Sequence, residues 1–327
     1  MFAALVFMAC PGESVETGDT APSTNWQVVA EKLPGALLSV GGTSATDVFV
    51  VGADGGAGPM AYHLQGGTWV ALAGFDPGDL WWVHVEATEI WACGEGGRAF
   101  HGDGTGANVT GAVTDPETTL YGIWGPGDGT AWAGGGNPRE TSDAAQMWRF
   151  DGDAWSAVVL PAGASAAVAL FKVWGAAAND VWAVGSGGVA LHYDGATWEL
   201  VDTLNTNTLL TIHDGYAVGG TIGGTILKLE GSGTVWTDES PAYSIQINGV
   251  RGGAEPVAVG MQGTVWFRGV SGWQEAPGDR PTYQDLHGVW RDPDGGVWAA
   301  GGHVSAEPLI YGTVVYTGGQ TIPTLEG

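Results

Sequence analysis

Short apolar runs of five or six residues, each cut off by Gly, Asp or Pro, recur along this chain of 327 residues. Leu120-Tyr-Gly-Ile-Trp124, Leu170-Phe-Lys-Val-Trp174 and Leu286-His-Gly-Val-Trp290 are the clearest openings, and Leu37, Leu80, Leu209 and Ile247 begin weaker copies. A turn such as Gly175 to Asp180 follows each opening. A second run then carries Trp-x-x-Gly, at Trp91, Trp132, Trp182 and Trp298. Apolar runs of this length between turn residues read as strands. The glycines closing the second run stand at 52, 94, 135, 185, 219, 260 and 301, so the spacings are 42, 41, 50, 34, 41 and 41. A period near forty, repeated seven times with Trp and Gly at fixed offsets, marks blades that cannot bury their faces alone. The predicted fold is all-β: a seven-bladed β-propeller of four-stranded antiparallel blades.

The rest of the unit agrees. A third strand ends in an aromatic-Asp-Gly turn, Phe150-Asp151-Gly152 or Tyr193-Asp194-Gly195, where Asp bonds local backbone and Gly accepts positive φ. A Trp then opens the outer strand at Trp69, Trp155, Trp198, Trp236 and Trp273, with Asn108 and Val109 at the equivalent place in blade two. Blade seven has no such Trp after Tyr316, whereas Asn25-Trp26-Gln27-Val28 precedes the first repeat as an orphan outer strand. It is expected to complete blade seven and so remove an exposed sheet edge. The implied division is a signal segment over 1–9, a tether over 10–24 and the propeller over 25–327.

Composition narrows the partners. Ten basic residues against 35 acidic ones leave a net charge of −25, which repels phosphate backbones and anionic membrane surfaces. Nucleic acid is therefore excluded as an expected partner. Glycine and polar turns interrupt every apolar run after residue 10, so membrane attachment is expected only through an N-terminal lipid. With 58 glycines and 17 tryptophans, most of them at repeat-equivalent offsets, the aromatics are assigned chiefly to packing between blades.

Phe2 to Ala9 is a small-and-apolar segment ending at Cys10, followed by a stretch rich in Pro, Gly, Ser, Thr, Glu and Asp. It resembles a bacterial lipoprotein signal, which implies lipidation of Cys10 and a place in the cell envelope, periplasmic or outer-surface, or secretion. Phe7 stands where Leu is usual and no Lys or Arg precedes Lys32, both departures from that pattern. The phrase Asn179-Asp-Val-Trp-Ala-Val-Gly185, with Leu191-His-Tyr-Asp-Gly-Ala-Thr-Trp198, resembles repeats of exported β-propeller lipoproteins of myxobacteria and related bacteria. It is more distantly similar to propellers that assist photosystem assembly, and Asp194-Gly-Ala-Thr-Trp198 resembles a shortened Asp-box of sialidase-type propellers. The acidic composition departs from the Arg-rich face implied by the assembly factors. Cys93, where other repeats carry Val184, Val218 or Val259, reads as a small buried hydrophobe.

Catalytic signatures are sparse. Seven arginines are present, and Arg149, Arg268 and Arg291 fall at blade edges, so the converging cations of a sialidase are not spaced for it. His63, His101 and His192 are repeat-equivalent, which assigns them a structural role, and no His-x-His or Cys-x-x-Cys pair occurs. Asp292-Pro-Asp294 and Asp151-Gly-Asp153 resemble fragments of calcium loops without a following ligand set. No catalytic residue, metal or cofactor is assigned.

Recognition is expected instead on the face carrying the connections between second and third strands, because these loops vary. Relative to blade four they are four residues longer in blade one and seven longer in blades three and seven. The candidates are Asn137, Arg139, Glu140 and Asp143 in blade three, with His303 and Glu307 in blade seven. Near the same mouth, the second residue of each inner strand reads Leu38, Trp81, Tyr121, Phe171, Leu210, Asn248 and His287. Of these, Trp81, Tyr121 and His287 join the ligand-binding candidates, the alternative being that the aromatics only fill seams between blades. The expected function is a monomeric, non-catalytic binding or scaffold lipoprotein holding a protein or glycan. The alternative is a carbohydrate-active enzyme, a glycoside hydrolase or lyase, with a carboxylate pair at the channel mouth.

Overall fold

The computed structural model describes residues 25–140, 144–164, 167–231 and 233–327. They form seven four-stranded antiparallel sheets, one per repeat. Blade four is representative: Leu170–Ala177 pairs with Asp180–Gly185, that strand with Ala190–Tyr193, and that with Trp198–Val201. The second strands are the most buried, because both faces of each are covered by neighbouring blades. Asp180–Gly185 buries every residue after Asp180, and Ala131–Gly136 buries all six.

The Trp of each Trp-x-x-Gly strand is held from two sides. Within its own blade it stacks on the cross-strand partner: Trp91 on His101 at 3.9 Å and Trp182 on His192 at 4.2 Å, with Phe49 on His63 at 3.8 Å in blade one. Each imidazole is anchored by a carboxylate that opens the neighbouring second strand, at 3.2 Å for Glu89 and His101, 2.8 Å for Asp180 and His192, and 2.5 Å for Asp47 and His63. The repeat-equivalent histidines are thus structural, as their spacing implied. From the next blade the outer-strand Trp meets the same ring edge-on, as in Trp132 with Trp198 at 5.2 Å and Trp182 with Trp236 at 5.5 Å. Such edge-to-face pairs join packing to a preferred geometry.

Closure follows the N-terminal strand. Gln27–Leu33 pairs antiparallel with Ile310–Thr317, completing the sheet built on Val297–His303 and Asp285–Arg291. The strand runs five residues beyond Val28. It buries Val29, Ala30 and Leu33, Thr313 Oγ1 donates to the Ala30 carbonyl at 3.0 Å, and the C-terminal tail lies across it, with Ile322 and Leu325 in the same core. In blade two the outer strand is Thr110–Val113 and not Asn108–Val109. Asn108 adopts φ 55° and donates to Asp103 at 2.8 Å, so it belongs to the turn. Cys93 is free and buried, and burial pushes its thiol up to about 12. Cys10 and the segments 1–9 and 10–24 lie outside the described residues.

Candidate functional site at the loop-bearing mouth

Every inner strand breaks register with its neighbour just after its opening Leu or Ile, and the residue skipped is Leu38, Trp81, Tyr121, Phe171, Leu210, Asn248 or His287. A β-bulge at this point leaves one residue per blade unpaired and re-aims its side chain. The closing glycine sits opposite: a Cβ at Gly185 or Gly301 would collide with the carbonyl oxygen of Ala169 or Asp285. Bulge and glycine therefore form one device, repeated around the ring, that presents a residue to the channel mouth.

Six of the seven reach that mouth, all but Leu38. Trp81, Tyr121, Phe171, Leu210 and His287 line a cavity of about 210 Å³, in which Trp81 meets Tyr121 edge-on at 5.0 Å and His287 at 6.0 Å, and Tyr121 meets Phe171 at 5.1 Å. Leu38 is sealed beneath Leu309. Asn248 borders the cavity while donating to the Leu286 carbonyl at 2.8 Å. His287 faces the Leu38 carbonyl through Nδ1 at 2.6 Å, and burial pushes its pKa down to about 4, so it is neutral at pH 7 with Nδ1–H donating. The indole N–H of Trp81 is buried without a hydrogen-bond partner among the described residues. The aromatics thus contact one another and also border open space, which joins both roles considered for them.

The long loops of blades three and seven converge above this floor. Pro138, Val304 and Ser305 border both the aromatic cavity and a funnel of about 560 Å³, whose wall includes Asn137, Arg139 and Glu307 together with Trp81 and Tyr121. Asn137 is fixed as a turn residue, its N–H donating to Val168 and its Oδ1 accepting from the Arg139 N–H at 3.1 Å. Burial raises the Tyr121 phenol, and Arg139 and Glu95 act on it with opposite sign. His303 ends its strand paired with Ile310, and Glu140 is exposed beside Asn137; neither belongs to the funnel wall. Asp143 lies outside the described residues.

Blade two supplies residues that the sequence did not single out. Glu95 and Arg98, from its short hairpin between second and third strands, line the funnel although that loop is not long. Behind them Asp79 accepts the Asp54 N–H at 2.7 Å, and Asp54 accepts N–H groups from Gly56, Gly58 and Gly78. Burial, reinforced by the charges of Glu95, Glu307 and Asp54 against that hydrogen bond, pushes the Asp79 carboxyl up to about 6.

Lys172 was also missed. It sits inside the apolar run Leu170 to Trp174, where the aligned strands carry Ser39, Trp82, Gly122, Thr211, Gly249 and Gly288, so a cation there was a visible departure. The side chain is buried across the channel, with Nζ 3.1 Å from the Trp82 ring centroid and donating to the Tyr121 carbonyl at 3.2 Å. It borders the aromatic cavity above and a separate cavity of about 500 Å³ at the far end. Among the described residues no group of three His, Cys, Asp or Glu side chains could hold a metal ion. Asp292 Oδ1 instead accepts the N–H groups of Asp294 and Gly296 in a turn.

No family model matches the chain, and no curated protein matches its sequence. Solved structures do match its shape. A streptogramin B lyase superposes with a TM-score of 0.67 at 13% identity, over 90% of this chain and 98% of that one. YCF48 bound to D1 peptide gives 0.65 at 17% identity over 94% and 99%, and the WD40 β-propeller domain of Doa1 gives 0.63 at 11% over 91% and 98%. The shared property is the propeller. These neighbours include a lyase and a protein bound to a peptide, and at such identities they carry the fold and no activity.

Proposed function

We propose that this protein is a non-catalytic recognition propeller that holds a protein partner, through an extended peptide segment, in the funnel on its loop-bearing face. One observation carries the proposal: Trp81 and Tyr121 form a floor shared by the funnel and the channel cavity, while loops from blades three and seven bring Arg139 and Glu307 to its rim. An aromatic floor with a few polar groups around it suits a segment that buries one anchoring side chain and pairs charges at the edge. YCF48 bound to D1 peptide is a propeller of similar shape that holds a peptide, and it lends the proposal a precedent. A glycan stacking on the same rings is the competing occupant.

The test selects binders from a random peptide library and a glycan array on the full chain. Peptides whose binding falls with Tyr121→Ala and Arg139→Ala, but persists with Asp194→Ala, support the proposal. Binders indifferent to Tyr121 and Arg139, or glycan binders alone, overturn it. The enzymatic alternative would need a paired acid, for which Asp79 has the raised pKa. Asp79 stands behind the funnel wall, holding the Asp54 N–H. The same proposal places the protein at the cell envelope through a lipid on Cys10, so Cys10→Ser should release it from membranes and abolish palmitate labelling. Wild-type chain that is unlabelled and free of membranes in a lipoprotein-exporting host would refute the anchor.

A further inference from the structure

The other end of the channel is a second cavity, unrelated to the variable loops. Its volume of about 500 Å³ falls in the range that small-molecule sites occupy. Trp82, Trp124, Trp174 and Trp290, all from inner strands, contribute to its wall. The polar part is unusual for a chain of net charge −25: Lys172 and Arg251, two of only ten basic residues, border this one space with His84 and His213, against a single carboxylate among the described residues, Glu86.

These groups are unequally committed. His84 Nε2 lies 2.9 Å from the Gly125 carbonyl and 3.4 Å from Glu86, which holds Glu86 below its ordinary pKa. His213 Nδ1 accepts the Gly252 N–H at 3.2 Å and its ring packs against Trp174 at 5.1 Å, so that imidazole is neutral with Nε2 carrying the proton. Burial acts in the same direction on His213. Arg251 feels Asp214 and Glu86 at a distance without closing an ion pair. Among the described residues Lys172 has no carboxylate partner: its Nζ donates to the Tyr121 carbonyl and lies over the Trp82 face. A buried ammonium with one hydrogen bond and no counter-charge is costly, which is why burial drives it well below the usual lysine range. An anion would supply the missing partner.

We propose that this end of the channel is a binding site for a small organic carboxylate with a flat apolar body, its carboxylate directed to Lys172 with Arg251 at the entrance and its body against the tryptophans. The tryptophan wall favours an organic ligand over a bare inorganic anion, because burying an aromatic body adds apolar contact that phosphate cannot make. The site is independent of the peptide-binding proposal, being separated from it by the Lys172 side chain.

Isothermal titration of the full chain with phenylacetate, its neutral isostere phenylacetamide and inorganic phosphate is the test. Saturable phenylacetate binding is expected, about tenfold or more tighter than the amide and than phosphate. Lys172→Met, which keeps the apolar stem, and Arg251→Gln, at a half-buried mouth position, should each weaken phenylacetate severalfold, whereas Arg139→Ala on the opposite face should not. Absence of saturable binding, equal affinity for acid and amide, phosphate binding as tightly as phenylacetate, or undiminished binding by both channel variants would overturn the proposal. Since Arg251 is only half-buried at the end of its strand, the Arg251→Gln variant decides the matter if Lys172→Met fails to fold.

Discussion

Removal of the N-terminal strand is the perturbation whose cost follows most directly from the structure. Truncation to residue 25 leaves Gln27–Leu33 intact, whereas truncation to residue 34 strips Ile310–Thr317 of its partner. Val29 and Leu33, with exposures of 0% and 4%, go with the strand, and their burial alone is worth about 1.5–3 kcal/mol each. The backbone pairing and the contacts with Ile322 and Leu325 are lost too, so the total is about 5 kcal/mol, a large share of the ~5–15 kcal/mol that holds a domain folded. At roughly 2–4 °C per kcal/mol for a chain of this size class, the melting temperature should fall by about 10 °C or more. The exposed edge beside Val314 and Tyr316 should also promote association. Scanning calorimetry and light scattering on both truncations measure these effects. Leu33→Ala should reproduce about 2–4 kcal/mol of the loss, and Val28→Ala, 47% exposed, almost none. A melting temperature unchanged by truncation to residue 34 would refute strand exchange as the closing element.

Three further outcomes are expected. Gly185→Ala should destabilise by several kcal/mol, because the added methyl meets the rigid Ala169 carbonyl, whereas Gly187→Ala, in a turn with open space, should cost only its positive-φ strain; equal losses in chemical denaturation would contradict the bulge-and-glycine pairing. Asp79→Asn should stabilise the fold at pH 7 and not at pH 4. The raised Asp79 pKa means that the protonated form favours folding, so the contribution is complete below about 4, the unfolded value, and is lost as pH rises through about 6; Asn keeps the acceptor for the Asp54 N–H, and a benefit as large at pH 4 would refute this. Cys93, fully buried with its thiol pushed up to about 12, should resist iodoacetamide in the native protein at pH 8 and react fully in denaturant, and rapid native labelling would place it wrongly in the core.

Blade number, strand order, the structural histidines and the N-terminal closure were all legible in the sequence, because each is a local pattern that recurs: Trp-x-x-Gly, Asp-Gly turns, a missing seventh Trp and a spare Trp26. Repetition averages out the ambiguity that a single short apolar run carries. The second residues of the inner strands were also legible as positions. That they face open space depended on seven register breaks, which only the pairing of strands distant from the loops could reveal. Asn137, Arg139 and Glu307 shared a face on topology alone, but their meeting with Glu95 and Arg98 of blade two was decided by how far the long loops lean across the mouth, so His303 and Glu140, equally plausible in sequence, fell outside the funnel wall. Lys172 and Arg251 stand 79 positions apart on different blades, with no motif linking them. Closing the ring brings both to one cavity, and burial there, a property of the tertiary structure alone, leaves an ordinary lysine away from solvent with its ammonium form disfavoured.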